Sequence, residues 1–289
     1  MVKVFIGIVL ISNAQHIPKR NYIMLDSLNT HFTVQRYTLK TKELYNIDKT
    51  IEVYNVPMLR GEFLLLISVL PSFTEKENWK KINFDSLKSQ VFSIKQIKDY
   101  TKSIHNAGSI DFEYINSLKF GLIKKEGDDY YLSNICLLER FNVRNYPFPL
   151  ITPYKTINTS GIAITIKDFQ QQAPKSFAPM NPENSNYMLL DKILLENYYL
   201  SKKFIIKGDT AYQFWTFSDW MVADGWNEQR GIDRFVYIPG KGIVGGSYDF
   251  WFAFKPWREV YNTKEIPVKA DKLWDNILNE RVMLAEELK

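Results

Sequence analysis

Three stretches in the first third of the chain have the pattern of hydrophobic and polar residues that is typical of strands. Residues 32–39, 50–56 and 63–70 are each rich in β-branched or aromatic side chains, and polar residues, Pro or Gly separate them. Such runs are typical of strands, and the short connections between them favour antiparallel neighbours. The pattern predicts an antiparallel meander of three strands.

The period of the pattern then changes. Between Asp85, a potential N-cap, and a stop signal at residues 106–108, apolar residues recur at the three- and four-residue steps of a helix face. These residues are Leu87, Val91, Ile94, Ile97 and Ile104. Farther along, residues 118–124 and 130–138 flank Glu126-Gly127-Asp128-Asp129, a sequence suited to a tight turn. The sequence therefore predicts a helix followed by a β-hairpin.

The second half of the chain mixes the two periods. Strands are predicted at residues 162–166, 212–217, 235–238 and 248–254, and helices at 186–200 and 273–288. Prolines cluster between residues 147 and 182, so the chain is divided into parts 15–150 and 151–289, or forms one single domain over 15–289. The predicted class is α+β, with mostly antiparallel sheet and about three packed helices, including a C-terminal helix.

Composition narrows the function classes. The chain has 289 residues, of which 45% are hydrophobic and 24% charged, as expected for a folded globular protein. The formal net charge of +5 is dispersed, with no basic stripe interleaved with aromatic residues, so no nucleic-acid partner is predicted. The single cysteine, Cys136, lies in an apolar run, which predicts a buried thiol and excludes an intramolecular disulfide.

The N-terminus has the pattern of an export signal. Lys3 precedes the apolar run 4–11, and Ser12-Asn13-Ala14 follows with small residues, which predicts a signal peptide at 1–14 that is cleaved before Gln15. The run is shorter than the about 20 apolar residues of a membrane-spanning helix, so no integral membrane segment is predicted in the mature chain. The Ala-Gln junction resembles signal peptides of exported proteins of the Bacteroidota. A buried strand is the alternative reading of residues 4–11.

The segment 212–257 concentrates aromatic side chains and holds a cluster of carboxylates. Four tryptophans are candidate ligand-binding residues because flat rings stack on sugars and peptides: Trp215, Trp220, Trp226 and Trp251. Three carboxylates between strands are candidate catalytic residues, since glycoside hydrolysis uses a pair of them: Asp219, Asp224 and Glu228. The alternative is a solvated loop whose tryptophans pack in the core.

Other motifs argue against cofactors and metals. Residues 240–245 match G-x-G-x-x-G, but the next run alternates like a strand, whereas a nucleotide-binding loop opens a helix. We interpret these glycines as a hairpin bend and predict no cofactor. His16, His31 and His105 lack zinc-site spacing. Oxygen ligands for calcium would come from residues without EF-hand spacing, so no metal is predicted; these are Asp219, Asp224, Asn227, Glu228 and Asp233.

Together these patterns favour an exported, non-enzymatic binding or interaction protein. Its aromatic-rich β surface at 212–257 would contact a glycan, a peptide or a protein partner. The alternative is a secreted, glycosidase-like hydrolase that uses the carboxylate loop at 219–228.

Overall fold

The computed structural model describes residues 21–73, 75–106, 116–117, 120–146, 155–172, 198–216, 231–253 and 270–289. Within these ranges sheet predominates and most strand pairs are antiparallel, as expected for the predicted α+β class. The helices are α1 (Leu25–His31), α2 (Lys42–Tyr45), α3 (Ile94–Asn106), α4 (Ile166–Gln172), α5 (Asp249–Ala253) and α6 (Ala270–Leu278).

The predicted meander is confirmed and forms one side of the central sheet, with β2 at its edge. Its strands are β2 (Gln35–Lys40), β3 (Thr50–Met58) and β4 (Phe63–Leu70), each antiparallel to the next. Beyond β4 the sheet continues with β9 (Ile135–Val143) and β10 (Thr156–Ile157), while the short β6 (Asn116–Ser117) also pairs with β9.

A small sheet packs on one face of the central sheet. Its strand order is β1-β7-β8-β5, and the bounds are β1 (Asn21–Met24), β5 (Trp79–Ile82), β7 (Phe120–Glu126) and β8 (Asp129–Ser133). The hairpin β7–β8 confirms the predicted turn, in which Gly127 has a φ of 61°. The predicted strand 130–138 is broken at Asn134, whose backbone and side-chain nitrogens donate to carbonyls of the 77–78 segment, so β8 and β9 enter different sheets.

The C-terminal sheet packs on the opposite face. Its five antiparallel strands follow chain order: β11 (Tyr198–Ile206), β12 (Asp209–Thr216), β13 (Arg234–Ile238), β14 (Gly242–Ser247) and β15 (Met283–Leu284). The glycine motif at 240–245 forms the β13–β14 bend and the first part of β14. Gly242 has a φ of 77°, and a Cβ there would lie 2.5 Å from Asn55 Oδ1, so only glycine fits.

Two hydrophobic cores separate the three sheets. The large core lies between the central and C-terminal sheets and takes Leu137 and Phe141 from the first predicted part and Phe214 and Phe235 from the second. The two parts therefore pack together. The small core lies between the central and small sheets and contains α3 residue Ile97, Tyr54 and the buried thiol of Cys136.

Two predicted helix boundaries are wrong. Helix α3 begins at Ile94, not at Asp85, because Ser93 and Gln96 form a reciprocal capping box, with Gln96 N donating to Ser93 Oγ and Ser93 N to Gln96 Oε1. The terminal helix ends at Leu278 rather than continuing to 288. The chain turns at Glu280, which has a φ of 50°, and then enters β15.

Three predicted elements have the wrong type. Residues 162–166 are not a strand: Thr165 and Asp168 cap α4, which begins at Ile166. Residues 198–200 of the predicted helix 186–200 belong to β11, while 186–197 lie outside the described residues. The predicted strand 248–254 contains α5 instead, because Tyr248, Trp251 and Phe252 also have helical spacing and are all buried.

Candidate functional site

The carboxylate loop and two of the four candidate tryptophans lie outside the described residues. These are Asp219, Trp220, Asp224, Trp226 and Glu228, and their proposed roles stay predictions. Among the other calcium candidates Asn227 also lies outside, whereas Asp233 is buried and accepts a hydrogen bond of 2.6 Å from Asp249 N. Of the histidines, His31 pairs through its ring with the Ser27 carbonyl, His105 lies in the last turn of α3, and His16 lies outside the described residues.

The other two candidate tryptophans lie in the protein interior. Trp215 is 1% exposed, stacks on Tyr199 and donates from Nε1 to the Ile164 carbonyl at 2.8 Å. Trp251 is 3% exposed and donates to the Pro71 carbonyl at 3.2 Å. Both rings fill the large core, so neither contributes to an exposed aromatic surface.

Buried charges accompany these rings between the central and C-terminal sheets. Lys155 Nζ lies 2.9 Å from Glu139 Oε1, and Glu139 also accepts hydrogen bonds from Ile232 N. Arg234 pairs with Asp249 in a second buried ion pair. Packed side chains enclose both pairs, which favours a structural role over contact with a ligand.

Two buried tyrosines belong to this network. The Tyr45 hydroxyl donates to Asp249 Oδ1 at 2.9 Å and accepts from Tyr248 N at 2.7 Å, while the Tyr248 hydroxyl pairs with Ser68 Oγ at 2.6 Å. Burial, followed by the charge of Asp249, raises the pKa of Tyr45 well above its usual value. Burial and the charge of Glu139 do the same to the pKa of Tyr248.

An accessible site lies where the central and small sheets diverge. Along β3, the residues that face the small sheet change from Met58, Val56 and Tyr54 in the core to Glu52 and finally Thr50. The opposite wall is the polar end of the small sheet. Between them is a cleft of about 430 Å³, here called the Trp79 cleft, lined by Asp48, Lys49, Thr50, Glu52, Lys76, Glu77, Asn78, Trp79, Lys124, Glu126 and Tyr131.

Glu52 fixes the floor of the Trp79 cleft. Its Oε1 accepts a hydrogen bond of 2.6 Å from Trp79 Nε1, and its Oε2 accepts one of 2.7 Å from the Tyr54 hydroxyl. Arg36 lies 2.7 Å from the same Oε2 and balances the charge. Burial and the adjacent carboxylate together raise the pKa of Tyr54 far above its usual value, so this phenol stays a neutral donor. The Trp79 ring is thereby held in one orientation.

Lys124 lies against two aromatic rings at the opposite wall. Its Nζ is 4.3 Å from the centre of the Trp79 ring and 5.9 Å from that of Tyr131, distances at which a cation is attracted to the ring face. The same ammonium is 2.7 Å from Glu126 Oε1. Because Lys124 and Tyr131 are paired in the β7–β8 register, the sheet itself sets this arrangement.

The rim of the cleft comes from the segments before β3 and β5. Lys49 Nζ donates to the carbonyls of Glu75 and Lys76, and Asn78 Nδ2 donates to the Thr50 carbonyl, so these two segments are tied together. Asp48, Lys76 and Glu77 are exposed there. The lining thus holds three lysines and four acids, and Arg36 behind Glu52 brings the local charge to zero.

No group of three or more His, Cys, Asp or Glu side chains that could hold a metal ion occurs among the described residues. The described helices include none that is long and apolar enough to cross a membrane. No family model matches the sequence, and no curated protein or solved structure is significantly similar to it. The functional argument therefore rests on the chemistry of the site.

The residues of the cleft are absent from the candidates chosen by sequence. They come from three separate segments, and none carries a catalytic or nucleotide-binding motif. One signal was present: in the strand 50–56, the charged Glu52 occupies a position in the same alternating row as Tyr54 and Val56. A charge in a row that faces a core indicates either a buried pair or the edge of a binding site.

Proposed function

We propose that the protein is an exported, non-enzymatic binding protein and that the Trp79 cleft, rather than the segment 212–257, holds its ligand. The observation that carries this proposal is the combination of an open cleft with an aromatic ring fixed by Glu52. The cleft volume is within the range of small-molecule sites, roughly 300–1,000 Å³. Oriented aromatic and hydrogen-bonding groups reduce the ordering cost of binding.

The bonding of Glu52 favours binding over catalysis. Three donors, from Arg36, Tyr54 and Trp79, already take most of the about four acceptor positions on its two oxygens. A general acid or base must instead exchange a proton with a substrate placed at hydrogen-bond distance. Glu52 therefore serves to position the Trp79 ring.

Adjacent residues on the hairpin provide matched variants for a test. Tyr131 and Lys124 face the cleft, whereas Tyr130 stacks on Phe84 on the other face of the small sheet and Lys125 lies near the Tyr130 ring. A thermal-shift screen against sugars, peptides and small polar metabolites should find a ligand that raises the melting temperature. Tyr131→Leu and Lys124→Met should abolish that shift, and Tyr130→Leu and Lys125→Met should keep it.

Retention of the shift in both cleft variants would place the ligand elsewhere. A hydrolytic activity on polysaccharide that Asp224→Asn removes without loss of folding would instead support the hydrolase alternative. Export has a separate test: the protein released by the native cell should begin at Gln15. A protein that begins at Met1 and remains in the cytoplasm would contradict the proposed signal peptide.

A further inference from the structure

We infer that the ligand of the Trp79 cleft is a neutral saccharide, an inference that rests on the proposed binding function. The first argument is charge. The formal charges of the lining and of Arg36 sum to zero, so the cleft gives no net attraction to a cation or an anion. Ligands that carry a net charge are recognised by an excess of the opposite charge, which is lacking here.

The second argument is that several charged groups of the cleft already have partners. Lys124 contacts Glu126, Glu52 contacts Arg36, and Lys49 binds two backbone carbonyls. To pair with one of these groups, an ionic ligand would have to displace its present partner. That partner would then lose its own hydrogen bond or ion pair. A neutral ligand can leave them intact.

The third argument is hydrogen-bonding capacity. A carboxylate offers about four acceptor positions and an ammonium three donors, so Glu126 and Lys124 keep unused capacity after pairing with each other. The Thr50 and Tyr131 hydroxyls add groups that both donate and accept. Sugar hydroxyls also do both, and they match a lining that contains both donors and acceptors.

The fourth argument is the aromatic ring. The C–H face of a pyranose ring is apolar and packs on a flat aromatic surface, whose burial is favourable. Trp79 is half-buried and is held by its hydrogen bond to Glu52 at 2.6 Å, so it loses little freedom when a sugar packs on it. Because Lys124 Nζ lies 4.3 Å from the centre of the same ring, a sugar at this ring also contacts the ammonium. A dipeptide or an amino acid would use the charges of the cleft but would not need this fixed ring.

The test measures binding by isothermal titration calorimetry and by intrinsic tryptophan fluorescence. The probes are neutral gluco-, galacto-, manno-, xylo- and N-acetylglucosamine oligosaccharides, with uronic-acid oligosaccharides and zwitterionic dipeptides as comparison arms. We expect one neutral series to bind and its dissociation constant to change less than twofold when salt is raised tenfold, because screening acts on charges. Tyr131→Leu should weaken binding about tenfold or more, which corresponds to about 1.4 kcal/mol, and Tyr130→Leu should not.

Trp79→Phe identifies the stacking ring. It should remove the fluorescence change and weaken binding while the unfolding midpoint shows that the variant remains folded. Binding of dipeptides or uronic acids in preference to neutral sugars, with loss in Tyr131→Leu, would overturn the saccharide inference and leave the proposed binding site intact. Failure of every probe, or binding unaffected by Tyr131→Leu, would overturn both.

Discussion

The buried pair Glu139–Lys155 allows the sharpest prediction about stability. The Glu139 side chain is fully buried and that of Lys155 is 6% exposed. In Glu139→Gln the carboxylate charge disappears, and the buried Lys155 ammonium loses its ion pair with Glu139. Breaking a buried ion pair on one side costs about 3–5 kcal/mol. For a chain of this size that corresponds to a fall in melting temperature of roughly 10 °C.

An exposed pair is the matched control. Arg144 and Glu62 lie 3.5 Å apart, with side chains 38% and 61% exposed. Water screens such a pair, so Glu62→Gln should change the free energy of unfolding by less than about 1 kcal/mol. Urea unfolding followed by tryptophan fluorescence measures both variants under the same conditions.

The double variant Glu139→Gln/Lys155→Met tests the cause. If the loss comes from breaking the pair on one side only, removal of the Lys155 ammonium as well should restore at least half of the lost stability. A Glu139→Gln loss below about 1 kcal/mol, or a Lys155→Met loss that simply adds to it, would refute the reasoning.

Two further predictions concern the same layer of the protein. A Cβ at Gly231 would lie 1.7 Å from Glu139 Oε1, so Gly231→Ala should cost about 1–3 kcal/mol in urea unfolding. Gly161→Ala, with its nearest neighbours at 3.6 Å, should cost less than about 0.5 kcal/mol, and equal losses would contradict the steric argument. Burial raises the pKa of Tyr45 and Tyr248, so both phenols ionise more readily in the unfolded chain. Their contribution to stability is complete below about pH 10 and is lost as the pH rises further, so unfolding midpoints should be level up to about pH 10 and fall above it, less steeply in Tyr45→Phe. An identical slope in that variant would contradict the assignment.

The elements that the sequence predicted best are those whose residue pattern is compatible with one type of secondary structure. Strand β4 has the predicted bounds because its eight residues, all buried and all apolar except Ser68, lie between two sheets. The hairpin turn at Gly127 was predicted for a similar reason, since few conformations accommodate Glu-Gly-Asp-Asp between two strands.

Segments with two compatible patterns were not predictable from local sequence. Tyr248, Trp251 and Phe252 can line one face of a helix, although the surrounding aromatic residues also alternate. Tertiary contacts select the helix: Asp249, at its first position, is held by Arg234, Tyr45 and the side chain of Asp233. Arg234 and Asp233 are 15 and 16 residues from Asp249, and Tyr45 is 204 residues away. A local sequence window therefore does not contain all of these partners.

The candidate site depends on the same kind of long-range information. Trp79 follows β3 by more than twenty residues, and Lys124 is farther still, yet both meet Glu52 across the gap between two sheets. The aromatic residues of 212–257 were easier to notice because they are close together in sequence. Of the described ones, Trp215 and Trp251 are core residues, which is the usual location of tryptophan clusters.

The polarity of the diverging sheets is itself an argument for function. Stability alone would favour continuation of the apolar row of Met58 and Val56 to the start of β3, because removing a carboxylate from water has a free-energy cost. At Glu52 this cost is offset by three donors, from Arg36, Tyr54 and Trp79. The hydrogen bond from Trp79 also fixes its ring beside the open cleft. A structural role explains the pairing of Glu52 but does not require a cleft beside it. Ligand binding explains both the fixed ring and the space that it faces.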